Sequence, residues 1–448
     1  MPVAGALVLV TAVSVLLRTG ALHDGFWIDE GIAVGIASHD LADIPRLLRL
    51  DGSPPLYYLL LHGWMALFGD SEAAARALSL VFVAITVPVS WWAGTAVAGR
   101  RAGAIAAALA AGCPLLSYYG QEARMYTLVA LLSVAAAAAF VLGRRVTLAG
   151  ALVLLLYTHT WGLFLAAALA VVWIALWRAG RVAGRDGALV AVAVAALYAP
   201  WVPSLAFQAL HTGAPWSVSP SALLLAAAVL PALFAWRARN EAVRLLALIG
   251  AVGFVLAWLG SQLEPAWSGR YLAVLYGPAA LALAGATARR APVVVVAALA
   301  LLVVPLPAKS NVRAVAVSTG INLRPGDLVI STQPEQVPVL QRYLPGGLTY
   351  LTPAGAPPDP AVMDWRDALR RLRAGSPRLT PLHAGQRIVL VTAILEARSP
   401  WARAVRRGTR EWRAALRADP RLRRLGTTSR PDPRRFRSTV RAALYVVK

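Results

Sequence analysis

Long apolar runs recur between residues 3 and 308, separated by short polar turns. Runs long enough to span a bilayer occur at 3–22, 74–98, 102–119, 125–142, 146–160, 161–177, 187–205, 221–236, 243–262, 271–288 and 291–308. They predict eleven membrane helices. The stretch 146–177 is divided at Tyr157-Thr158-His159-Thr160-Trp161, which offers no strong turn. The first run resembles a signal peptide. It lacks a positive leading region and a small-residue cleavage site, so it reads as a retained span. A further run, Pro54 to Phe68, is too short to cross comfortably. After Lys309 the period changes. Strand-like stretches at 326–332, 387–393 and 442–447 alternate with helical patterns at Glu335–Leu344, Asp364–Arg373 and Trp401–Arg417. Pro and Gly at 345–347 and 353–360 supply loops, and there is no glycine-rich phosphate loop. The pattern predicts a polytopic α-helical membrane domain, 1–308, followed by a small α/β domain, 309–448.

Charge orients these elements. Arg100-Arg101, Arg144-Arg145, Arg178 with Arg181 and Arg185, Arg237 with Arg239 and Arg244, and Arg289-Arg290 occupy alternate turns. Cytoplasmic loops carry the excess of Lys and Arg. If Pro54–Phe68 lies flat in the interface, all five clusters fall inside; if it crosses, all five fall outside. The interfacial placement is expected. It puts 23–73, 119–125, the neighbourhood of His159, 206–220, Glu264 to Arg270 and the tail on one extracytoplasmic face. The expected home is therefore the cell membrane of a bacterium, crossed many times.

Composition agrees. The chain is 58% apolar and 15% charged, whereas soluble domains are nearer a quarter charged. Of the net charge of +23, the tail holds +17, from 26 basic and 9 acidic residues. Its arginines alternate with apolar positions and do not form a block, which argues for anionic headgroups or glycan and against nucleic acid. Arg outnumbers Lys 42 to 2, a bias of GC-rich coding. Cys113 stands alone, so there is no disulfide framework and no thiolate metal site.

Four polar constellations share the outer face. His23-Asp24-Gly25-Phe26-Trp27-Ile28-Asp29-Glu30 follows the first span. Asp51-Gly52-Ser53-Pro54-Pro55-Leu56-Tyr57-Tyr58 opens the interfacial helix, with His62 one turn on. Tyr118 to Tyr126 joins two spans through Gln121, Glu122 and Arg124. Glu264-Pro265-Ala266-Trp267-Ser268-Gly269-Arg270-Tyr271 enters a late span. Each has a purely structural reading. Asp29 and Glu30 would cap a helix beginning at Gly31. Phe26 and Trp27 would anchor at the interface. Pro54-Pro55 would start a helix, Glu122 and Arg124 would pair, and Arg270 would snorkel. His62 and His159 would be satisfied structural histidines. Yet acidic residues at a membrane boundary mark working sites, and these groups gather on one side.

The order of the motifs resembles the GT-C glycosyltransferases. It is closest to the dolichyl-phosphate-mannose–protein mannosyltransferases and the bacterial lipid A aminoarabinose transferases. Asp29-Glu30 matches the acidic first outer loop, and Ser53-Pro54-Pro55-Leu56-Tyr57-Tyr58 matches the interfacial helix. Gly69-Asp70-Ser71-Glu72 then leads to Ala75-Arg76, and Gly99-Arg100-Arg101-Ala102-Gly103 forms the inner turn. Gln121-Glu122-Ala123-Arg124-Met125-Tyr126 is similar to the second outer loop, and Ser268-Gly269-Arg270-Tyr271-Leu272 to an Arg-Tyr motif near the lipid phosphate. Many members carry His where this chain has Ser53. The likeness covers about 1–290, and the tail matches no known activity.

The resemblance implies a polyprenyl-phosphate sugar donor and transfer, mannosyltransferase-like, to an extracytoplasmic hydroxyl on protein, lipid or wall glycan. A hydroxyl is a poor nucleophile, so a carboxylate must take its proton; Asp29 is the expected general base. The leaving phosphate needs fixed positive charge instead of an acid, and Arg270 and Arg124 offer forked donors. Glu122 would orient Arg124 or bind sugar hydroxyls. Tyr57, Tyr58, Tyr126 and Trp267 would stack on the sugar or line the lipid path, and Glu30, Asp51, His62, His159 and Tyr271 complete the expected substrate contacts. With no Asp-x-Asp on the outer face and no spaced His/carboxylate cluster, no metal and no cofactor are expected. A lipid or polysaccharide transporter would explain the spans. It would not explain ionisable residues that avoid mid-span positions. A noncatalytic wall-assembly scaffold would not need Asp29, Glu122 and Arg270 together.

Overall fold

Each apolar run becomes a helix, or a broken set of helices, in a computed structural model that describes residues 2–303, 308–379, 381–395, 397–428 and 436–448. In chain order the helices are α1 (Pro2–Leu16), α2 (Ile28–Ala37), α3 (Ile44–Asp51), α4 (Leu56–Phe68), α5 (Glu72–Ala98), α6 (Arg100–Gly112) and α7 (Pro114–Tyr119). They continue with α8 (Tyr126–Val141), α9 (Arg145–Thr158), α10 (Gly162–Arg178), α11 (Gly184–Tyr198), α12 (Val202–His211), α13 (Leu223–Trp236) and α14 (Glu241–Leu263). The last are α15 (Tyr276–Ala286), α16 (Ala291–Ala300), α17 (Val312–Gly320), α18 (Val337–Tyr343), α19 (Ala368–Ala374) and α20 (Pro400–Ala418). The strands are β1 (Ala308–Ser310), β2 (Leu328–Ser331), β3 (Thr349–Leu351), β4 (Arg387–Ile394), β5 (Leu422–Thr427) and β6 (Phe436–Val447).

The runs and helices differ in instructive ways. Pro114 cannot continue α6, so the run 102–119 breaks into α6 and α7. The ambiguous stretch 146–177 is two helices, separated at His159. Residues 304–307, the end of the run 291–308, lie outside the described residues. By length and composition, Glu72–Ala98, Gly184–His211 and Glu241–Leu263 can cross a membrane. The pair Gly269–Ala286 and Ala288–Ala300, bent by 68°, would make a fourth.

The chain folds as two compact units. The first comprises Met1–Leu22, Ser53–Ser204 and Val218–Pro305. Small side chains let its helices approach closely, a substitute for the hydrophobic drive that lipid does not provide. Ala93 of α5, Ile105 and Ala106 of α6, Val134 and Ala138 of α8, Val243 of α14 and Leu281 of α15 form one buried cluster. The arginine-bearing turns are tied together: Arg145 pairs with Asp186 at 2.7 Å, Arg181 pairs with Glu241, and Arg144 lies 5.1 Å from the centre of the Trp92 ring.

The second unit comprises His23–Gly52, Leu205–Ser217 and Leu306–Lys448. Two loops, expected on the outer face from charge alone, thus pack with the tail. Its sheet runs β1-β6-β4-β2-β3, with β5 also on β6. β4, β2 and β3 are parallel, and β6 is antiparallel to β4. One face pairs Ile388 with Tyr445 and Leu390 with Ala443. On it α20 lays Trp412 and Leu416, and Arg413 of the same helix donates to the Thr392 hydroxyl of β4 at 2.8 Å. Trp216, Trp365 and Trp401 form a second apolar column, with ring centres 4.5 and 5.2 Å apart.

Candidate active site

In the second unit the acidic loop is held from both ends. The Phe26 N–H donates to the Tyr343 hydroxyl at 2.7 Å, and Arg313 donates to the His23 carbonyl at 3.1 Å. Phe26 and Trp27 are buried, not displayed as interfacial anchors. α2 starts at Ile28, three residues before the expected Gly31, because Trp27 already holds the extended N-cap conformation. The two carboxylates then part company. Glu30 is fully buried and accepts the Trp27 N–H at 3.4 Å, so the capping task falls to it. Asp29, one position earlier on the helix, is half-buried.

The placement of α2 depends on two glycines. A Cβ on Gly31 would lie 2.6 Å from Cβ of Val339 on α18, and one on Gly35 would collide with the Ala361 carbonyl. His39 latches the far end, with Nδ1 2.8 Å from the Gly35 carbonyl and Nε2 2.7 Å from Asp359.

Glu335, read from sequence only as the start of a helix, belongs to this unit. It follows β2 in a 3-10 turn, Pro334–Gln336, which packs against α2. Its Oε1 accepts bonds from Gln333 Nε2 and Trp401 Nε1, both at 2.6 Å. Burial pushes its carboxyl up to about 7, against the pull of those two donors, and the Asp29 charge adds to the rise. The available signal was Gln333-Pro334-Glu335-Gln336 just past an apolar strand, since α/β sheets place ligands at the carboxyl ends of their strands.

Asp51 also lies in the second unit, and its placement corrects an expectation. It closes α3 and does not open the interfacial helix; Gly52, at φ 94°, ends that helix in the left-handed conformation.

The first unit gathers the other candidates. Tyr57 and Tyr58 are both buried on α4. Ser79 donates to the Arg124 carbonyl at 2.9 Å, so the Tyr57 hydroxyl donates to Ser79 at 2.8 Å. Arg124 Nη1 donates to the Tyr58 hydroxyl at 3.0 Å. Both tyrosines therefore help to hold the loop between α7 and α8. Arg76, fully buried, donates to the carbonyls of Ala21 and Leu22, and Gln121 accepts the Ala21 N–H at 2.8 Å. Glu122 is fully buried two residues before Arg124. His62 sits half-buried one turn after Tyr58.

Around Arg270 the aromatic rings form a wall. Its guanidinium lies 5.7 Å from the Tyr126 ring centre and 5.5 Å from that of Tyr271. His159, in the turn between α9 and α10, packs 5.8 Å from Tyr126 and 4.9 Å from Tyr271. The Trp161 N–H donates to His159 Nδ1 at 3.1 Å, so the neutral ring carries its proton on Nε2. Trp161 extends the wall, 5.0 Å from Tyr271 and 5.7 Å from Trp267. Sequence reasoning did not single out Trp161. Such a wall offers a guanidinium its ring faces.

No family model and no curated protein matches the chain. Among solved structures, ArnT from Cupriavidus metallidurans bound to undecaprenyl phosphate aligns over 98% of this chain and 98% of that one, at 16% identity and a TM-score of 0.59. The chain has the ArnT fold. The apo state of ArnT aligns over 87% of this chain and 93% of its own, again at 16% identity, with a TM-score of 0.58. The oligosaccharyltransferase of Archaeoglobus fulgidus, in complex with Zn and sulfate, aligns over 75% of this chain and 61% of its own, at 14% identity and a TM-score of 0.43. The expected resemblance to the aminoarabinose transferases is met at the level of the fold, and over the tail as well, which the motifs alone did not cover.

Proposed function

We propose that the chain is an inverting glycosyltransferase of the cell membrane, moving a sugar from a polyprenyl-phosphate donor to an extracytoplasmic hydroxyl. The observation that carries this reading is Arg270, framed by Tyr126, Tyr271 and His159 within a fold whose relative ArnT was solved with undecaprenyl phosphate. Arg270 holds the donor phosphate, aided by Arg124. Asp29 takes the acceptor proton as the hydroxyl oxygen forms its bond to the anomeric carbon. The C–O bond to phosphate breaks, and the polyprenyl phosphate leaves as an anion that needs no general acid. Inversion follows from the single displacement. Eleven spans, an interfacial α4 and an extracytoplasmic tail complete the proposed layout.

Glu30, Glu122, His62 and Asp51 are proposed to shape the site more than to react. Mannose, moved by the mannosyltransferases the motifs resemble, is the first sugar to try, and the acceptor is a protein, lipid or wall-glycan hydroxyl. The test is release of polyprenyl phosphate by the purified protein from a panel of radiolabelled polyprenyl-phosphate sugars, with membranes as acceptor source. Release dependent on Arg270 supports the reading. Transport of intact donor without cleavage would replace it with the transporter.

A further inference from the structure

Glu335 is a buried carboxyl for which the proposed reaction has no use. It stands just past β2, one of three parallel strands. Its Oε1 already accepts two donors, whereas Oε2 is buried and has no hydrogen-bond partner among the described residues. An ionised carboxylate there would leave an anionic oxygen desolvated with no donor, an expensive arrangement. A carboxylic acid places its hydrogen on Oε2 and removes the charge. The elements packed on this turn carry Asp29 and Glu30 on α2, Arg342 and Tyr343 on α18, and Arg403 and Arg406 on α20. Of these, Asp29 is the charge that acts on Glu335.

We propose that Glu335 is a positioning residue for Asp29: it remains a neutral acid while the site works, so that Asp29 stands as the one negative charge of the pair. This rests on Asp29 as the general base. The coupling is reciprocal, since interacting carboxyls titrate as a pair. When Glu335 ionises, a second negative charge faces any substrate that carries a phosphate. Donor KM then rises as pH passes neutrality, by at most about tenfold per pH unit for one proton lost. A carboxyl with a merely structural task would leave that profile flat.

Two readings test it, and the first needs no substrate. Infrared titration of the detergent-solubilised full chain should show a protonated-carboxyl band that disappears with a midpoint near 7 and is missing in Glu335→Gln. Asp29→Asn should lower the midpoint, because loss of the neighbouring negative charge makes ionisation easier. Trp401→Phe should raise it, because a donor to the carboxylate is lost; this variant serves if Glu335→Gln does not fold. No such band below neutrality, or a midpoint indifferent to Asp29→Asn, overturns the proposal whatever the enzyme transfers. The second reading is donor KM against pH. Glu335→Gln should hold the low-pH value throughout, and a profile that still rises like the wild type overturns the proposal too. If the infrared results hold and no transfer is found, the carboxyl pair stands and the glycosyltransferase reading fails.

Discussion

Asp29 and Glu30 are adjacent in sequence, but their surroundings give them different work. Glu30 is fully buried and closes the first turn of α2 through the Trp27 N–H. Glu30→Gln keeps an acceptor for that bond, so it should cost well under about 1 kcal/mol of stability, the typical value of a lost cap. Transfer should change little. Asp29→Asn keeps size but cannot accept a proton, so transfer should fall roughly 10²–10⁴-fold while donor binding survives. Activity of both variants in membranes, normalised to protein level, decides. An active Asp29→Asn beside a dead Glu30→Gln would move the base by one residue, and two active variants would remove it. Arg270 is tested in the same assay. Arg270→Ala should raise donor KM and slow turnover, and Arg270→Lys should rescue only in part, because an ammonium cannot reproduce the guanidinium fork. Wild-type donor kinetics in Arg270→Ala would take Arg270 out of the site.

At the scale of elements, α2 is positioned by what it lacks. Gly31→Val would drive a branched side chain into Val339, 2.6 Å from the position of the added Cβ. Overpacking of this kind costs typically about 1–3 kcal/mol, and here it would also lift Asp29 away from its turn. A lower melting temperature together with reduced transfer is expected, against a surface control such as Gly63→Ala, whose Cβ meets nothing. If Gly31→Val melts and turns over like the wild type, α2 is not docked on α18. The long helices were legible because apolar runs state their own length, and α20 because its arginines and its apolar residues Trp401, Val405, Trp412 and Leu416 alternate at helical spacing. β1 and β3 were not legible, since three residues carry no measurable alternation. α3 went unseen because Asp43, Arg46, Arg49 and Asp51 give it a polar surface that reads as loop. Glu335 looked ordinary because its partner Trp401 lies 66 residues away in sequence.

For the whole molecule, charge and folding unit give two independent views of the same segments. Charge bookkeeping assigns 23–73, 206–220 and the tail to one outer face; 23–52 and 205–217 pack with that tail as a single compact unit. The arginine-bearing turns are tied to one another by Arg145 with Asp186 and Arg181 with Glu241. Everything hinges on α4. Its thirteen residues rise about 20 Å at 1.5 Å each, short of the roughly 30 Å hydrocarbon core. α4 also ends with Leu67 and Phe68 exposed beside polar residues, as an in-plane helix would. If α4 crossed, all five arginine clusters would exchange sides and the tail would lie in the cytoplasm. A reporter enzyme active only in the cytoplasm, fused after Lys448, should therefore stay silent, and one active only in the periplasm should report. A second fusion in the Arg144-Arg145 turn should give the opposite pair of results. Both reporters reversed would put the tail in the cytoplasm, on the side opposite to Asp29, and overturn the shared outer face, while agreement of both fusions supports α4 in the plane of the interface.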